Sequence, residues 1–123
     1  MRRGVRPADI DQATWLAVRA PRDSTLVEQL LHVEDLDLGE SEAIALAVQF
    51  GLRLLIDERR GARVARAHGI VVTGVVGVVL AACRMQIIAI EEVEPLLRRM
   101  TGAEFWLGES LIRHAVLQAR DSA

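Results

Sequence analysis

Strand-like and helix-like segments alternate through the middle of the chain, and this order constrains the fold more than any other feature. The apolar segment LRLLID (52–57) is followed by ERRGARVARAHG (58–69), which has helical spacing and ends on a glycine. The pair IVVTG (70–74) and VVGVVLAACRM (75–85) then repeats the order. Such alternation indicates parallel strands joined by right-handed crossovers. We therefore predict an α/β fold, a parallel sheet with helices on both faces.

The flanking segments extend this pattern. WLAVRA (15–20) is predicted to be a short strand, which Pro21 ends. A capping box from Thr25 to Glu28 predicts a helix start, and LDLGESEAIALAVQFG (36–51) predicts a second helix that ends at Gly51. IEEVEPLLRRM (90–100) and the C-terminal stretch after residue 105 are predicted to be two further helices.

Composition limits the classes of protein to which the chain can belong. The 123 residues suffice for one domain, 51% of them are hydrophobic and only 3% are aromatic, so a core of aliphatic side chains is expected. The net charge of -2 gives no overall attraction to nucleic acid or to an acidic membrane. No segment has the length of a membrane span. The single cysteine, Cys83, is typical of a cytoplasmic protein.

Acidic residues mark the positions where the predicted parallel sheet has its ligand-binding edge. Glu40 and Glu42 lie in the first turn of one predicted helix, and Asp57 and Glu58 lie at the tip of the next strand. Helix N-termini and strand C-termini share one edge in such folds, so we expect Glu40 or Glu42 to lie near Asp57. Clustered carboxylates suit Mg²⁺ or Mn²⁺. The alternative is structural: the acids stabilise helix dipoles, and Asp57 caps the helix that begins near Glu58.

Four arginines follow the acids at once. Arg59, Arg63 and Arg66 fall on one face of the predicted helix, with Arg60 beside them. One interpretation is a solvated face with local pairing to Glu58. The other is a surface that positions nucleic-acid phosphates, for which Arg59, Arg60 and Arg63 are the candidates.

The combined pattern resembles the PIN-like nucleases, in particular a prokaryotic branch related to toxin–antitoxin ribonucleases. The resemblance rests on Gly39-Glu-x-Glu42-Ala-Ile-x-Leu-Ala, on a strand ending Asp57-Glu58, and on Gly61 with Arg63. Gly74 and Gly77 match the strand end and the helix that follows, and the Pro95-Leu-Leu and Phe105 to Leu111 stretches match the tail.

This resemblance implies a metal-dependent endoribonuclease in a Rossmann-type three-layer fold, in the toxin of a toxin–antitoxin pair or a relative of one. Its catalytic and metal-binding residues are implied to be Asp57 with Glu40 and Glu42, its cofactor Mg²⁺ or Mn²⁺, its substrate RNA and its partner an antitoxin protein. The family's opening Asp-x-Ser strand and a further acid on a helix have no counterpart in residues 1–21. Residues 1–123 are therefore expected to form a single, N-terminally truncated PIN-like domain with little nuclease activity by itself.

Two functions of different class remain open at this point, with a weaker third. The first is the ribonuclease, and the second is a catalytically incomplete remnant that acts as a binding or self-assembly module. The third is a small α/β ligand-binding domain. A sheet that lacks a central strand would expose unpaired backbone, so we also expect the chain to form a homo-oligomer.

Overall fold

The computed structural model describes residue 9, residues 12–102 and residues 105–122. The chain divides into two compact units, Met1–Phe50 and Gly51–Ala123, and each is described by itself. The expectation of one partial domain over residues 1–123 stays a prediction.

The first unit contains two packed helices, α1 (Ser24–His32) and α2 (Leu38–Phe50). Leu30 of α1 and Ile44 of α2 are fully buried. Ser41, near the start of α2, is also fully buried, and its hydroxyl donates to the Asp37 carbonyl at 2.7 Å. The predicted capping box at Thr25 is wrong, because Asp23 is the N-cap of α1 and its Oδ1 accepts the Leu26 N–H at 3.0 Å. Aspartate is also a preferred N-cap residue, and Asp23 lies directly before the first residue of the helix.

The predicted strand at residues 15–20 is also wrong. A turn brings the Leu16 N–H to the Ala13 carbonyl at 3.2 Å, and residues 16–20 have no regular secondary structure. Trp15 and Val18 are 83% and 89% exposed. β-branched and aromatic residues favour a strand only when a neighbouring strand accepts their backbone groups. Within the described residues, this segment has no such neighbour.

The second unit is built on a parallel two-stranded sheet. Strand β1 (Leu54–Leu55) pairs with β2 (Val72–Thr73), with Leu54 opposite Val72 and Leu55 opposite Thr73. The helix α3 (Arg59–Ala67) makes the crossover between them, and Gly69, at φ +79°, ends the turn after it. This is the strand–helix–strand unit that the alternation predicted, and it confirms the α/β class in its parallel form. The three-layer arrangement stays a prediction.

Three further helices form the main core of the second unit. They are α4 (Val75–Arg84), α5 (Ile90–Met100) and α6 (Glu109–Asp121). Their shared core is aliphatic, as the composition predicted, and consists of Val79, Leu80, Val93, Leu97, Leu107, Ile112, Ala115, Val116 and Ala119. None of the helices in the described residues is long and apolar enough to cross a membrane.

An ion-pair network ties α5 to α6 at the surface of this core. The Arg98 guanidinium donates to both carboxylate oxygens of Glu109, at 2.6 and 3.0 Å, and also pairs with Glu94 at 2.9 Å. The hydrogen bonds from Arg98 lower the pKa of Glu109 below its usual value. All three side chains are partly exposed, so solvent screens this network and the aliphatic contacts beneath it carry most of the stability.

We predict that Leu97→Ala destabilises the protein strongly. Leu97 is fully buried in the α4–α6 core, and truncation leaves a cavity that costs about 2–5 kcal/mol of unfolding free energy. Urea denaturation followed by circular dichroism measures the loss. Leu117→Ala, at a position that is 52% exposed, is the matched control and should change stability by less than about 1 kcal/mol. Equal losses in the two variants would contradict the assignment of the core.

Candidate functional site

Asp57 lies immediately beyond β1, at the carboxyl edge of the parallel sheet. Its Oδ1 atom accepts a hydrogen bond at 2.8 Å from the backbone N–H of Val75, the first residue of α4. The side chain thus bridges the end of one strand and the start of the helix that follows the neighbouring strand. An acidic side chain at the N-terminus of α4 also interacts favourably with the helix dipole.

Gly74 makes this close approach geometrically allowed. A Cβ atom at residue 74 would lie 2.6 Å from Asp57 Oδ1 and 3.7 Å from the Ile56 carbonyl oxygen. The backbone of Gly74 itself is extended (φ −101°), so the need for glycine here is one of space and not of dihedral angle. Gly74, which the family resemblance places at a strand end, therefore leaves the space that the Asp57 carboxylate fills.

Glu58 has a different role from its neighbour. Its two carboxylate oxygens accept the backbone N–H groups of Arg60 at 3.0 Å and Gly61 at 2.6 Å, so Glu58 is the N-cap of α3. The alternative in which Asp57 caps this helix is wrong, because the shorter side chain turns instead to the N-terminus of α4. The two acids at the strand tip are therefore held by two different helix N-termini.

A shallow groove of about 230 Å³ runs along the sheet beside Asp57. It is lined by Leu55, Ile56, Asp57, Thr73, Gly74, Val75, Val78, Val79 and Met100. Asp57 is the one acid among these lining residues, and most of the others are apolar.

Glu40 and Glu42 belong to the first unit, at the N-terminus of α2. Asp37 Oδ1 accepts the Glu40 N–H at 2.7 Å and acts as the helix cap, a role that the sequence analysis did not assign to it. The pKa of Asp37 lies below its usual value, because the backbone N–H of Glu40 and a hydrogen bond with the Glu40 side chain stabilise its carboxylate. An acid three residues before Glu40 is the signal that identifies this pair. Glu42, two residues further along α2, is half-buried.

The donor chemistry of these residues suits a hard divalent cation, but the described residues do not complete a metal centre. Asp57 offers a carboxylate at the expected edge of the sheet. In the part of the chain that the structure describes, no group of three or more His, Cys, Asp or Glu side chains is arranged to hold a metal ion. The expectation that Glu40 or Glu42 shares a cation with Asp57 joins residues of the two units and stays a prediction.

The arginines after the acids form an exposed basic face on α3. Arg59, Arg60, Arg63 and Arg66 are all exposed, whereas Gly61, Ala62, Val64 and Ala65 form the buried face of the helix. The N-terminus of α3 starts one residue after Glu58, so the first of these arginines lies close in sequence and in space to the acidic strand tip. The predicted helical face is confirmed.

A larger cavity of the second unit lies away from these groups. It measures about 620 Å³ and includes Leu80, Cys83, Arg84, Ile87, Glu92 and Gln118 among its lining residues. It opens at the C-terminal end of α4, whereas Asp57 contacts the N-terminal end of the same helix. Neither Asp57 nor Glu58 lines this cavity.

We predict that Gly74→Ala displaces Asp57 and weakens the start of α4. The added methyl group would overlap Asp57 Oδ1, so the hydrogen bond to Val75 is lost, at a cost of about 1–2 kcal/mol in unfolding free energy. Urea denaturation measures this cost. Gly102→Ala is the matched control, because a Cβ atom there meets nothing within 4 Å. A Gly74→Ala variant as stable as the control would show that the Asp57 contact is dispensable.

We predict that Asp37→Asn reduces the acid sensitivity of the protein. A carboxyl whose pKa is lowered on folding contributes stability that is complete above its ordinary value of 3.8 and is lost as the pH falls through the folded value. Asparagine still caps the helix but does not titrate in this range. Unfolding free energies measured below about pH 4 should therefore fall more steeply for the wild type than for the variant. Parallel curves would contradict this assignment.

Comparison with known proteins supplies the family. A family model described as a PIN domain matches residues 2–121, nearly the whole chain. Neither the curated proteins nor the solved structures gave a match. The model covers the Gly39–Glu42 motif, the acids at the tip of β1 and the glycines at the start of α4, which are the features on which the resemblance was based. The chain belongs to the PIN-domain family.

Proposed function

We propose that this PIN-domain chain is an endoribonuclease that depends on Mg²⁺ or Mn²⁺. Family membership indicates a nuclease-type function, and one structural observation carries the more specific proposal. Asp57 is fixed at the carboxyl edge of the parallel sheet by a 2.8 Å hydrogen bond from the start of α4. Ligands of open α/β sheets bind at this edge, so the carboxylate is held in a fixed orientation where a phosphodiester would lie.

In this proposal Asp57 is the metal ligand of the second unit, and Glu40 and Glu42 are the candidate acids of the first. A bound divalent ion would activate a water molecule and stabilise the charge that develops on the phosphate. The protein's own contribution is orientation. The Val75 N–H donates to Asp57 Oδ1 and holds the carboxylate at the start of α4, and Gly74 leaves the space for this contact.

The basic face of α3 is proposed to bind the RNA backbone. Arg59, Arg60 and Arg63 project from the helix whose N-terminus lies at the acidic edge, so they can hold phosphates next to Asp57. Arginine suits this role because its planar guanidinium donates two hydrogen bonds to one phosphate. The net charge of -2 means that attraction to RNA depends on this local face and not on the whole chain.

The second candidate function is a catalytically incomplete PIN module that binds or assembles without cleaving. The specific observation in its favour is that the described residues contain no cluster of three metal-ligating side chains. Two or fewer carboxylates hold Mg²⁺ weakly, because this ion demands near-octahedral oxygen ligands and loses water reluctantly. On either alternative, Asp57 is the residue whose substitution is most informative.

A biological setting forms part of the same proposal. The resemblance to toxin–antitoxin ribonucleases implies a cytoplasmic protein whose activity an antitoxin partner restrains. Co-expression of the chain with candidate partners encoded beside it, followed by a growth assay, would test this role separately from the chemistry.

We predict that the purified chain cleaves RNA slowly and only with Mn²⁺ or Mg²⁺, and that Asp57→Asn lowers the rate at least about tenfold. Asparagine still accepts the Val75 hydrogen bond but supplies no charge to a cation. Cleavage of a labelled single-stranded RNA is measured with each ion and with EDTA. Asp121→Asn, an exposed substitution of the same type near the end of α6, is the matched control.

Each result of this assay separates the alternatives. Cleavage that persists in EDTA, or that Asp57→Asn leaves unchanged, would remove Asp57 from the chemistry and contradict the proposal. No cleavage with either ion, in a folded preparation, would favour the binding module. Glu40→Gln and Glu42→Gln assayed in parallel identify which acid of the first unit contributes.

We predict that Arg59→Gln/Arg63→Gln weakens RNA binding and flattens its salt dependence. Each phosphate contact that is lost should reduce the slope of log affinity against log salt by about 0.7 for a single strand. Fluorescence anisotropy in EDTA measures binding without cleavage. Arg113→Gln/Arg120→Gln on α6 makes the same change in net charge elsewhere. Equal losses of affinity in the two variants would show that α3 is not a specific RNA-binding face.

A further inference from the structure

We propose that two copies of the chain exchange a strand, so that residues 16–20 of each copy pair with the open edge of β1 in the other. The proposal does not rest on the nuclease function. It rests on two complementary features of the described residues: β1 pairs there with β2 alone, and residues 16–20 there pair with no strand.

The first feature is the free edge of β1. The Leu54 and Ile56 N–H groups donate to the Val71 and Thr73 carbonyls of β2, at 2.9 and 3.0 Å. Because alternate residues of a strand direct their backbone groups to opposite sides, the N–H and C=O of Leu55 point away from β2. An edge of this kind is a template for pairing with another chain.

Apolar surface accompanies this edge. The Leu55 side chain is 67% exposed, and it lines the groove that also contains Val78 and Met100, two further exposed apolar residues. A strand added beside β1 would place alternate side chains over this groove. The edge therefore offers backbone hydrogen bonds and apolar contact in the same place.

The second feature is the segment LAVRA (16–20) of the first unit. Leu16 and Val18 are exposed and alternate with Ala17 and Arg19, so in an extended conformation both would face the same side of a strand. The end of the segment is anchored, because the Arg22 N–H donates to Gln49 Oε1 near the end of α2 at 2.9 Å. This anchor reduces the entropy that pairing would cost.

Charge selects the direction in which the two strands pair. The segment ends in Arg19, with Arg22 following, and β1 is followed by Asp57 and Glu58. A parallel arrangement places the basic end of the segment beside the acidic end of β1. An antiparallel arrangement would bring the same arginines toward Arg53, so like charges disfavour it.

Symmetry explains why the partner is a second copy. Within residues 12–102 and 105–122, each chain offers the segment 16–20 and the outer edge of β1. A twofold dimer would therefore pair both segments with both edges at once. The exposed residues Val18 and Leu55 belong to different units of the chain. Each side of the proposed contact can therefore be tested by its own substitution.

The first experiment is sedimentation velocity on the full chain, the Val18→Asp variant and the Leu55→Asp variant. We expect the wild type to be a dimer at micromolar concentration and each variant to raise the dimer Kd at least about tenfold. Leu117→Asp, at an exposed position of α6, is the control and should remain dimeric. Circular dichroism checks that each variant is folded. A monomeric wild type, or a dimer that both variants leave intact, would overturn the proposal.

The second experiment identifies the contact directly. Single cysteines are introduced as Val18→Cys in one preparation and Leu55→Cys in another, both with Cys83→Ala, and the two preparations are mixed and oxidised. Neighbouring strands lie about 4.8 Å apart, which allows a disulfide between paired residues. We expect a mixed disulfide dimer in clear excess over that formed by Val18→Cys with Leu117→Cys. Equal yields of the two mixed dimers would overturn the assigned interface even if the protein dimerises.

Discussion

The parallel pairing of β1 with β2 is the constraint on which the described chemistry depends. Parallel strands joined by a crossover helix bring strand ends and helix starts to one edge. Asp57, at the tip of β1, can therefore reach the Val75 N–H of α4, although the two residues are far apart in sequence. In an antiparallel hairpin, a tight turn would follow β1 directly, and Asp57 would not lie beside the N-termini of α3 and α4.

Two adjacent acids follow the apolar strand because two helix N-termini meet there. Glu58 caps α3 through both carboxylate oxygens, and Asp57 receives one N–H from α4. A helix N-terminus satisfied by a carboxylate is ordinary structural chemistry, and Glu58 is fully accounted for by it. Asp57 differs because it uses one oxygen for the contact and lines a groove, so it combines a structural role with a candidate ligand position.

The sequence predicted the local and periodic features well. The parallel strand–helix–strand unit, the glycine at the start of α4, the aliphatic core and the exposed arginine face of α3 all follow from spacing and composition. The same reasoning failed where a strand-forming sequence needs a second strand that is distant in the chain. Residues 15–20 have the composition of a strand, yet a strand exists only where another strand accepts its hydrogen bonds. Competition between neighbouring cap residues was also missed: Asp23, and not Thr25, caps α1. Asp37 caps α2, although its spacing from Glu40 is a sequence signal for such a cap.

Resonance broadening by Mn²⁺ would test most directly the central claim that Asp57 is an oriented ligand at this edge. In amide spectra of the labelled chain, the account predicts that Mn²⁺ broadens the Gly74 and Val75 resonances first, because their amides lie beside the Asp57 carboxylate. The effect should disappear in Asp57→Asn. Broadening that leaves these two resonances sharp, or that is the same in Asp57→Asn, would contradict the account.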